Sequence, residues 1–260
     1  MTDQKTDAAA APKAKKSGIV ETLKTVLIAG SVALVFRSAL YEPFNIPSES
    51  MLPTLLVGDY LFVSKFTYGY SRHSILFSPP LWKGRIFERP VTRGDVVVFK
   101  LPRDNSTDYI KRIVGLPGDR VQVIGGVLHL NGEAVKRERV QDFVDVDPYS
   151  KRLRRTAQFR ETLPGGATFL TLDREPNGEF DNTRVFVVPA GHYFAMGDNR
   201  DNSVDSRADP SVGVGFVPAE NLVGRADLFW FSTDGSASLF APWTWISAIR
   251  PSRMFRSVGP

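Results

Sequence analysis

An apolar stretch near the N-terminus limits what this chain can fold into more than any other feature of the sequence. No charged residue occurs in residues 25–36, a length that suits the core of a signal peptide. Extended to residues 19–40, the stretch becomes long enough to cross a bilayer and includes Glu21, Lys24 and Arg37. Glu21 can pair with Lys24 at helical spacing, and the two basic side chains lie near opposite ends, where they can reach the membrane interface.

The residues after this stretch distinguish a cleaved signal from a permanent anchor. A signal peptide ends in small residues just past its apolar core, whereas Phe36 and Arg37 stand at that point. We therefore predict an uncleaved transmembrane anchor at residues 18–40, with a buried helix of a soluble domain as the alternative.

Charges around the anchor predict its orientation. Arg37 stands alone after the apolar core, whereas Lys13, Lys15, Lys16 and Lys24 precede it. Because positive residues stay on the cytoplasmic side, the N-terminus should be cytoplasmic and the bulk of the chain outside. Residues 1–17 are alanine, lysine and polar residues with nothing to pack, which predicts a disordered cytoplasmic tail.

Short apolar segments separated by turns follow the anchor and predict a mostly β fold. Glycine, proline, aspartate and asparagine punctuate eight candidate strands, at residues 59–66, 95–102, 109–115, 119–124, 127–135, 184–189, 192–198 and 221–231. We predict an antiparallel sheet built from residues 41–135 and 184–235, with a polar, variable insertion at residues 136–183. Residues 236–260 carry tryptophans and basic residues that suit a membrane interface or, equally, an ordinary packed segment.

Composition excludes several classes of function. The net charge of +5 comes from basic residues spread along the chain, and no RNA-binding signature occurs, so no nucleic-acid partner is predicted. The absence of cysteine excludes disulfides, thiol catalysis and cysteine-ligated metals. His73, His129 and His192 are scattered and form no zinc-protease motif, so we predict neither a metal nor another cofactor.

A lysine in the middle of a candidate strand is the first possible catalytic residue. In YIKRIVGLPGD, Lys111 alternates with Tyr109 and Ile113, while Ile110 and Arg112 share the other side. One of the two basic residues should therefore point toward an apolar surface, at a high cost in desolvation. Pairing with a carboxylate would offset that cost; alternatively, burial lowers the pKa of the lysine and makes its amine a base.

Two further stretches carry polar residues that suit a catalytic site. Ser48 and Ser50 lie in PSESMLPTL, where they are either turn residues or a hydroxyl nucleophile and its neighbour. The stretch GDNRDNSVDSR places Asp201, Ser203 and Asp205 at calcium-loop spacing, but it lacks the required glycine and glutamate. We expect it to be an ion-paired loop that holds a small polar group; a Ser–His pair using His192 has no supporting motif.

Together these stretches resemble one family, the type I signal peptidases, which are membrane-anchored Ser–Lys proteases. PSESMLPTL resembles the nucleophile box of the family, RGDVVVFKLP and DYIKRIVGLPGD its next two boxes, and GDNRDNSVDSR its last. The boxes come in family order after the anchor and, with GFVPAENLVGRA, span most of the chain outside the insertion. The insertion has no matching counterpart, ADPSVG lengthens the loop after the last box, and only one membrane segment is convincing where some members have two.

The resemblance implies a role for each candidate residue. Ser50 would be the nucleophile and Lys111 the general base, with the side chain of Ser48 and the backbone N–H of Ser50 forming the oxyanion hole. Ser203 would orient the lysine. The residues implied to scaffold the last box are Asp198, Arg200, Asp205 and Arg207, and those implied to bind substrate are Phe44, Ile46, Pro47, Val98, Asp108, Tyr109 and Ile110.

The resemblance also implies a function and a location. The chain would remove signal peptides from preproteins emerging from the secretion machinery, cleaving after small-x-small sites through an acyl-enzyme. It would be a single-pass protein of the bacterial cytoplasmic membrane, in contact with the lipid bilayer, with its catalytic domain in the periplasm. Two alternatives stay open: a narrower Ser–Lys protease that processes a pilin or itself, and an inert anchored β-rich binding protein.

Overall fold

The chain was analysed as a computed structural model that describes residues 18–147, 152–237, 241 and 243–259. The predicted disordered tail, residues 1–17, lies outside the described residues. The first element is helix α1 (Gly18–Ala39), a 22-residue helix in which no side chain is buried. By length and composition, it is the single helix in the described part of the chain that could cross a membrane. The predicted anchor therefore forms a continuous helix without a buried side chain.

Strands make up most of the regular secondary structure after α1, and each of the eight predicted segments contains at least one strand. In chain order they are β1 (Tyr41–Asn45), β2 (Asp59–Ser64), β3 (Val96–Lys100), β4 (Asp108–Gly115), β5 (Arg120–Ile124), β6 (Val127–Leu130), β7 (Glu133–Ala134), β8 (Lys136–Arg139), β9 (Phe143–Val146), β10 (Leu153–Thr162), β11 (Thr168–Asp173), β12 (Phe186–Val187), β13 (His192–Met196), β14 (Val217–Pro218) and β15 (Leu222–Ser232). A short helix, α2 (Thr244–Ala248), follows them. The mostly β, antiparallel fold is confirmed.

A seven-stranded antiparallel sheet carries the candidate site. Its strand order is β1-β2-β15-β3-β4-β13-β14. Strands β3 and β4 are central and rich in β-branched residues, and the valines of β3 are buried on both faces of the sheet. Val97 pairs with Lys111 and Val98 with Ile110, so the candidate lysine lies in the interior of the sheet.

The predicted insertion contains a sheet of its own. Strands β8, β9, β10 and β11 form a four-stranded antiparallel sheet, in which β10 pairs with the other three. Its sequence did not predict strands because few of its residues are buried: in the ten residues of β10, only Thr156 and Glu161 are. Without one apolar face, the alternation that signals a strand is lost. The limits of the insertion at residues 136 and 183 stay a prediction.

The C-terminal segment is fixed to the large sheet at some points and exposed at others. Arg253 donates hydrogen bonds to both carboxylate oxygens of the buried Asp59 in β2, at 3.0 and 2.6 Å. Nearby, Trp243 and Ile246 are largely exposed, at 75% and 84%. The segment is therefore packed at its end and leaves apolar side chains free before it, and its contact with a membrane stays a prediction.

Candidate active site

Strand β4 buries both of its basic residues, not one as the alternation predicted. Lys111 is 4% exposed and Arg112 is 1% exposed. The alternation is correct, since successive side chains point to opposite faces, but both faces of the sheet are covered at this point. Burial of each basic residue therefore carries a desolvation cost, and the structure deals with that cost differently for Lys111 and for Arg112.

Lys111 is placed against the hydroxyl group of the candidate nucleophile. Its Nζ lies 2.6 Å from Oγ of Ser50, although 61 residues separate the two in sequence. The same nitrogen lies 3.0 Å from the carbonyl oxygen of Ile110 and donates to it. Ser48 is the other hydroxyl at this point, with its Oγ 3.5 Å from Oγ of Ser50. The predicted Ser–Lys pair is thus within proton-transfer distance.

Burial lowers the pKa of Lys111 to about 8, from an ordinary value of 10.5. The main cause is desolvation, which disfavours the charged ammonium. The carboxylates of Asp205 and Asp198 oppose this shift from a distance, and Arg207 adds to it. At neutral pH a useful fraction of Lys111 is therefore the free amine, whose lone pair can accept a proton.

This pKa predicts the pH dependence of catalysis. Only the neutral amine of Lys111 can act as a base, so activity should rise as pH increases and the ammonium loses its proton. We expect kcat/KM to increase about tenfold per pH unit below pH 7 and to level off above about 8. A profile measured from pH 6 to 10 with a stable substrate tests this; a flat profile would contradict the role of Lys111 as base.

A groove of about 460 Å³ leads to the Ser50 hydroxyl. Twelve residues line it: Phe44, Asn45, Ile46, Pro47, Ser48, Ser50, Val98, Asp108, Tyr109, Ile110, Lys111 and Val204. All seven residues predicted to bind substrate are among them. Sequence reasoning missed Asn45, between two predicted lining residues, and Val204, which lies beside Ser203 in the last box. The groove runs between β1 and β4, so an extended peptide could lie along it.

The four charged residues of the last box that were predicted to form a scaffold all make ion pairs, and two of these pairs reach outside the box. Within the box, Asp205 and Arg207 pair at 2.9 Å, and Asp205 also accepts from the N–H of Gly197. Asp198 pairs with Arg112 of β4 at 2.6 Å, with both side chains only 1% exposed. This ion pair is the compensation for the second buried basic residue of β4. It also joins the last box to the strand that carries Lys111.

The second external ion pair joins the last box to the insertion. Arg200 pairs at 2.5 Å with Glu161 of β10, and both side chains are almost fully buried. Sequence reasoning placed Arg200 in a scaffold but gave no partner. Glu161 was missed because a lone glutamate in a charged segment has no local pattern that distinguishes it.

The expected hydrogen bond from Ser203 to Lys111 is not formed. Oγ of Ser203 is buried and has no hydrogen-bond partner among the described residues. It lies instead against Gly197, where an added Cβ would be 2.2 Å from Oγ of Ser203 and 2.5 Å from the carbonyl oxygen of Ser50. Only glycine permits this close approach. Ser203 is therefore beside the nucleophile segment, and its role in orienting Lys111 stays a prediction.

His192 and the acidic residues at calcium-loop spacing do not line the groove. Nδ1 of His192 lies 2.9 Å from the carbonyl oxygen of Ala190, on its own turn. Asp201 does not converge with Asp205; its carboxylate lies within 4.8 Å of those of Asp173 and Asp181. Neither feature contributes a group to the groove.

Known proteins similar to this chain were identified by sequence and by structure. The family model described as signal peptidase, peptidase S26, matches residues 19–231. Two relatives, named signal peptidase I, come from Rickettsia typhi and Rickettsia conorii; each is 42% identical over 244 residues, which is 87% of this chain and 89% and 88% of the relatives. A solved signal peptidase I from Enterococcus faecalis has 26% identity and a TM-score of 0.32, covering 53% of this chain and 97% of that chain.

Proposed function

The chain belongs to the signal peptidase family S26 and is a membrane-anchored serine endopeptidase that removes signal peptides; we propose that Ser50 is its nucleophile and Lys111 its general base. The observation that supports this assignment is the 2.6 Å separation of Lys111 Nζ and Ser50 Oγ at the end of the groove. A serine hydroxyl is a weak nucleophile until a base removes its proton.

Catalysis begins with a substrate that lies as an extended strand in the groove between β1 and β4. The neutral amine of Lys111 takes the proton of the Ser50 hydroxyl while Oγ forms a bond to the scissile carbonyl carbon. The carbonyl oxygen becomes an oxyanion. The Ser48 hydroxyl and the Ser50 N–H stabilise it as donors, which is the role that the position of Ser48 suits.

The intermediate then collapses to an acyl-enzyme. The lysine ammonium donates its proton to the leaving nitrogen, the peptide bond breaks and the mature protein departs with a new N-terminus. Lys111, neutral again, takes a proton from water, whose oxygen attacks the ester carbonyl. Ser50 leaves with the proton returned by the lysine, and the signal peptide is released with a free carboxylate.

The location follows from the anchor. Basic residues are more numerous before the apolar core of α1 (Lys13, Lys15, Lys16 and Lys24) than just after it (Arg37), which supports a cytoplasmic N-terminus and an extracytoplasmic catalytic domain in the bacterial cytoplasmic membrane. Signal peptides emerging from the secretion machinery would then meet the groove close to the lipid surface, because β1 begins two residues after the end of α1.

Small residues at the cleavage site should be required, because the groove is lined at Ile46, Val98 and Ile110 by buried or half-buried branched side chains. We expect the purified chain in detergent to cut a presecretory protein after its small-x-small site. Changing either small residue of that site from alanine to leucine should slow cleavage more than about 100-fold, since added methylene groups do not fit a packed pocket.

N-terminal sequencing of the product tests this prediction, with substrate decay followed by gel. A substrate carrying alanine to leucine in the mature region, well beyond the site, is the matched control, and a folded Ser50→Ala chain is the inactive control. Equal rates for the unmodified substrate, the two cleavage-site variants and the mature-region control would contradict a groove that selects small residues.

A further inference from the structure

An ion pair connects the nucleophile segment to the insertion. Glu49 stands between Ser48 and Ser50 but is not among the residues that line the groove. Its Oε2 accepts hydrogen bonds from Nη1 and Nη2 of Arg154 in β10, at 3.3 and 3.2 Å. Arg154 is 105 residues away in sequence and belongs to the insertion sheet. The nucleophile segment is therefore in direct polar contact with the insertion.

The insertion holds Arg154 firmly in place. Its Nε donates to Oδ1 of Asp145 in the neighbouring strand β9 at 2.9 Å, and its Nη2 donates to the other oxygen of the same carboxylate. Nη1 of Arg154 also lies 3.7 Å from Oδ2 of Asp147. The side chain of Arg154 is only 16% exposed. A bidentate, half-buried guanidinium of this kind presents a fixed donor to Glu49, whereas a solvated surface arginine would not.

The same segment is held on its other side by the last box. Nδ2 of Asn199 donates to the carbonyl oxygen of Glu49 at 3.0 Å, and the N–H of Asn199 donates to the carbonyl oxygen of Ser50 at 3.1 Å. Nδ2 of Asn202 donates to Oε2 of Glu49 at 3.2 Å. Glu49 thus accepts hydrogen bonds from both the last box and the insertion, next to the proposed nucleophile.

We propose that Arg154 is a positioning residue for catalysis, which acts through Glu49 to fix the Ser50 and Ser48 hydroxyls against Lys111. The inference rests on the proposed function of Ser50 and Lys111. It gives the insertion a task in the reaction: without Arg154, the half-buried carboxylate of Glu49 loses its counter-ion and turns toward water. The adjoining serines then shift with their backbone, and the close Ser50–Lys111 contact is lost for part of the time.

Arg154→Ala should therefore lower kcat about 10- to 100-fold, since a shift of about 1 Å in a reacting group costs that much. KM should change less than about twofold, because the apolar lining supplied by β1, β3 and β4 stays in place. The midpoint of the pH profile should stay near that of the wild type, because the burial of Lys111 does not depend on Arg154. Arg154→Lys, which keeps the charge but not the fork of donors, should recover part of the lost kcat.

A double-mutant cycle separates positioning from general destabilisation. Glu49→Gln removes the charge from the nucleophile side and leaves the insertion intact, and it should lower kcat about tenfold. Adding Arg154→Ala to Glu49→Gln should then lower kcat less than about twofold further. Arg155→Ala is the matched control, since Arg155 is the next residue of β10, exposed on the opposite face.

All variants are assayed as the full chain in detergent, with kcat and KM measured on a presecretory protein and folding checked by thermal melt. If Arg154→Ala fails to fold, Glu49→Gln is used in its place. A wild-type kcat for Glu49→Gln overturns the inference. Additive effects of Glu49→Gln and Arg154→Ala also overturn it. If Ser50→Ala still cleaves, the proposed nucleophile is wrong and the inference falls with it; if Ser50→Ala is inactive while Arg154→Ala keeps its kcat, the inference alone is overturned.

Discussion

Replacing Lys111 with alanine is expected to lower the rate of signal-peptide cleavage by at least ~10³-fold at every pH, because the base that activates Ser50 is then absent. Lys111→Arg should be as inactive, although it keeps the charge and the length. A guanidinium stays protonated throughout the accessible pH range and cannot accept the serine proton. The pair of variants therefore tests for a base and not for a positive charge.

A second buried lysine shows why we assign the base to Lys111. Lys65 is 2% exposed, and its Nζ forms an ion pair of 2.8 Å with Oε2 of Glu42. Among the described residues, none places a carboxylate at ion-pair distance from Lys111, whose near neighbours are a hydroxyl and a carbonyl oxygen. Burial acts on Lys111 without that compensation, and its pKa falls to about 8 as a result.

The measurement is cleavage of a presecretory protein in detergent by the wild type, Lys111→Ala and Lys111→Arg, with folding checked by thermal melt. Lys136→Ala serves as the control, since that side chain is 70% exposed. Its rate should equal that of the wild type. Cleavage by folded Lys111→Ala at close to the wild-type rate would mean that the base lies elsewhere, and His192 would become the next candidate.

The central strands could be predicted from the sequence because each carries its own signal. Strand β3 reads as valines bounded by a Gly-Asp turn, and β4 alternates around Lys111, so local pattern and final structure agree. The groove could be predicted only through the family boxes, since its lining comes from β1, the nucleophile segment after it, β3, β4 and the last box. No spacing within one segment shows that Ser50 and Lys111 meet.

Pairings between distant charged residues could not be predicted. Glu49, Glu161 and Arg154 look like ordinary surface charges in sequence. They find their partners only when the insertion sheet lies beside the nucleophile segment and the last box. The same holds for Arg112. Its alternation with Lys111 suggested that one of the two would be exposed. Arg112 is nevertheless buried, because Asp198 of the last box pairs with it and offsets the cost of desolvating its charge.

The pair formed by Arg112 and Asp198 should have the largest effect on stability. Asp198→Ala would leave the guanidinium of Arg112, 1% exposed, without a counter-ion. We expect the free energy of unfolding to fall by about 3–5 kcal/mol, the usual result of breaking a buried pair by removing one partner. Arg112 would keep its hydrogen bond to the carbonyl oxygen of Gly94, at 2.7 Å, but a carbonyl dipole does not replace a carboxylate.

Chemical unfolding in detergent, followed by tryptophan fluorescence, measures this change. Glu138→Ala is the matched control: it removes one partner of an exposed pair, Lys136–Glu138, and should cost less than about 1 kcal/mol. The double replacement Arg112→Met with Asp198→Leu should recover much of the loss, because no buried charge then remains unpaired. If Asp198→Ala instead costs no more than Glu138→Ala, Arg112 must reach water in solution, and strand β4 would bury Lys111 alone, as the alternation of the sequence first indicated.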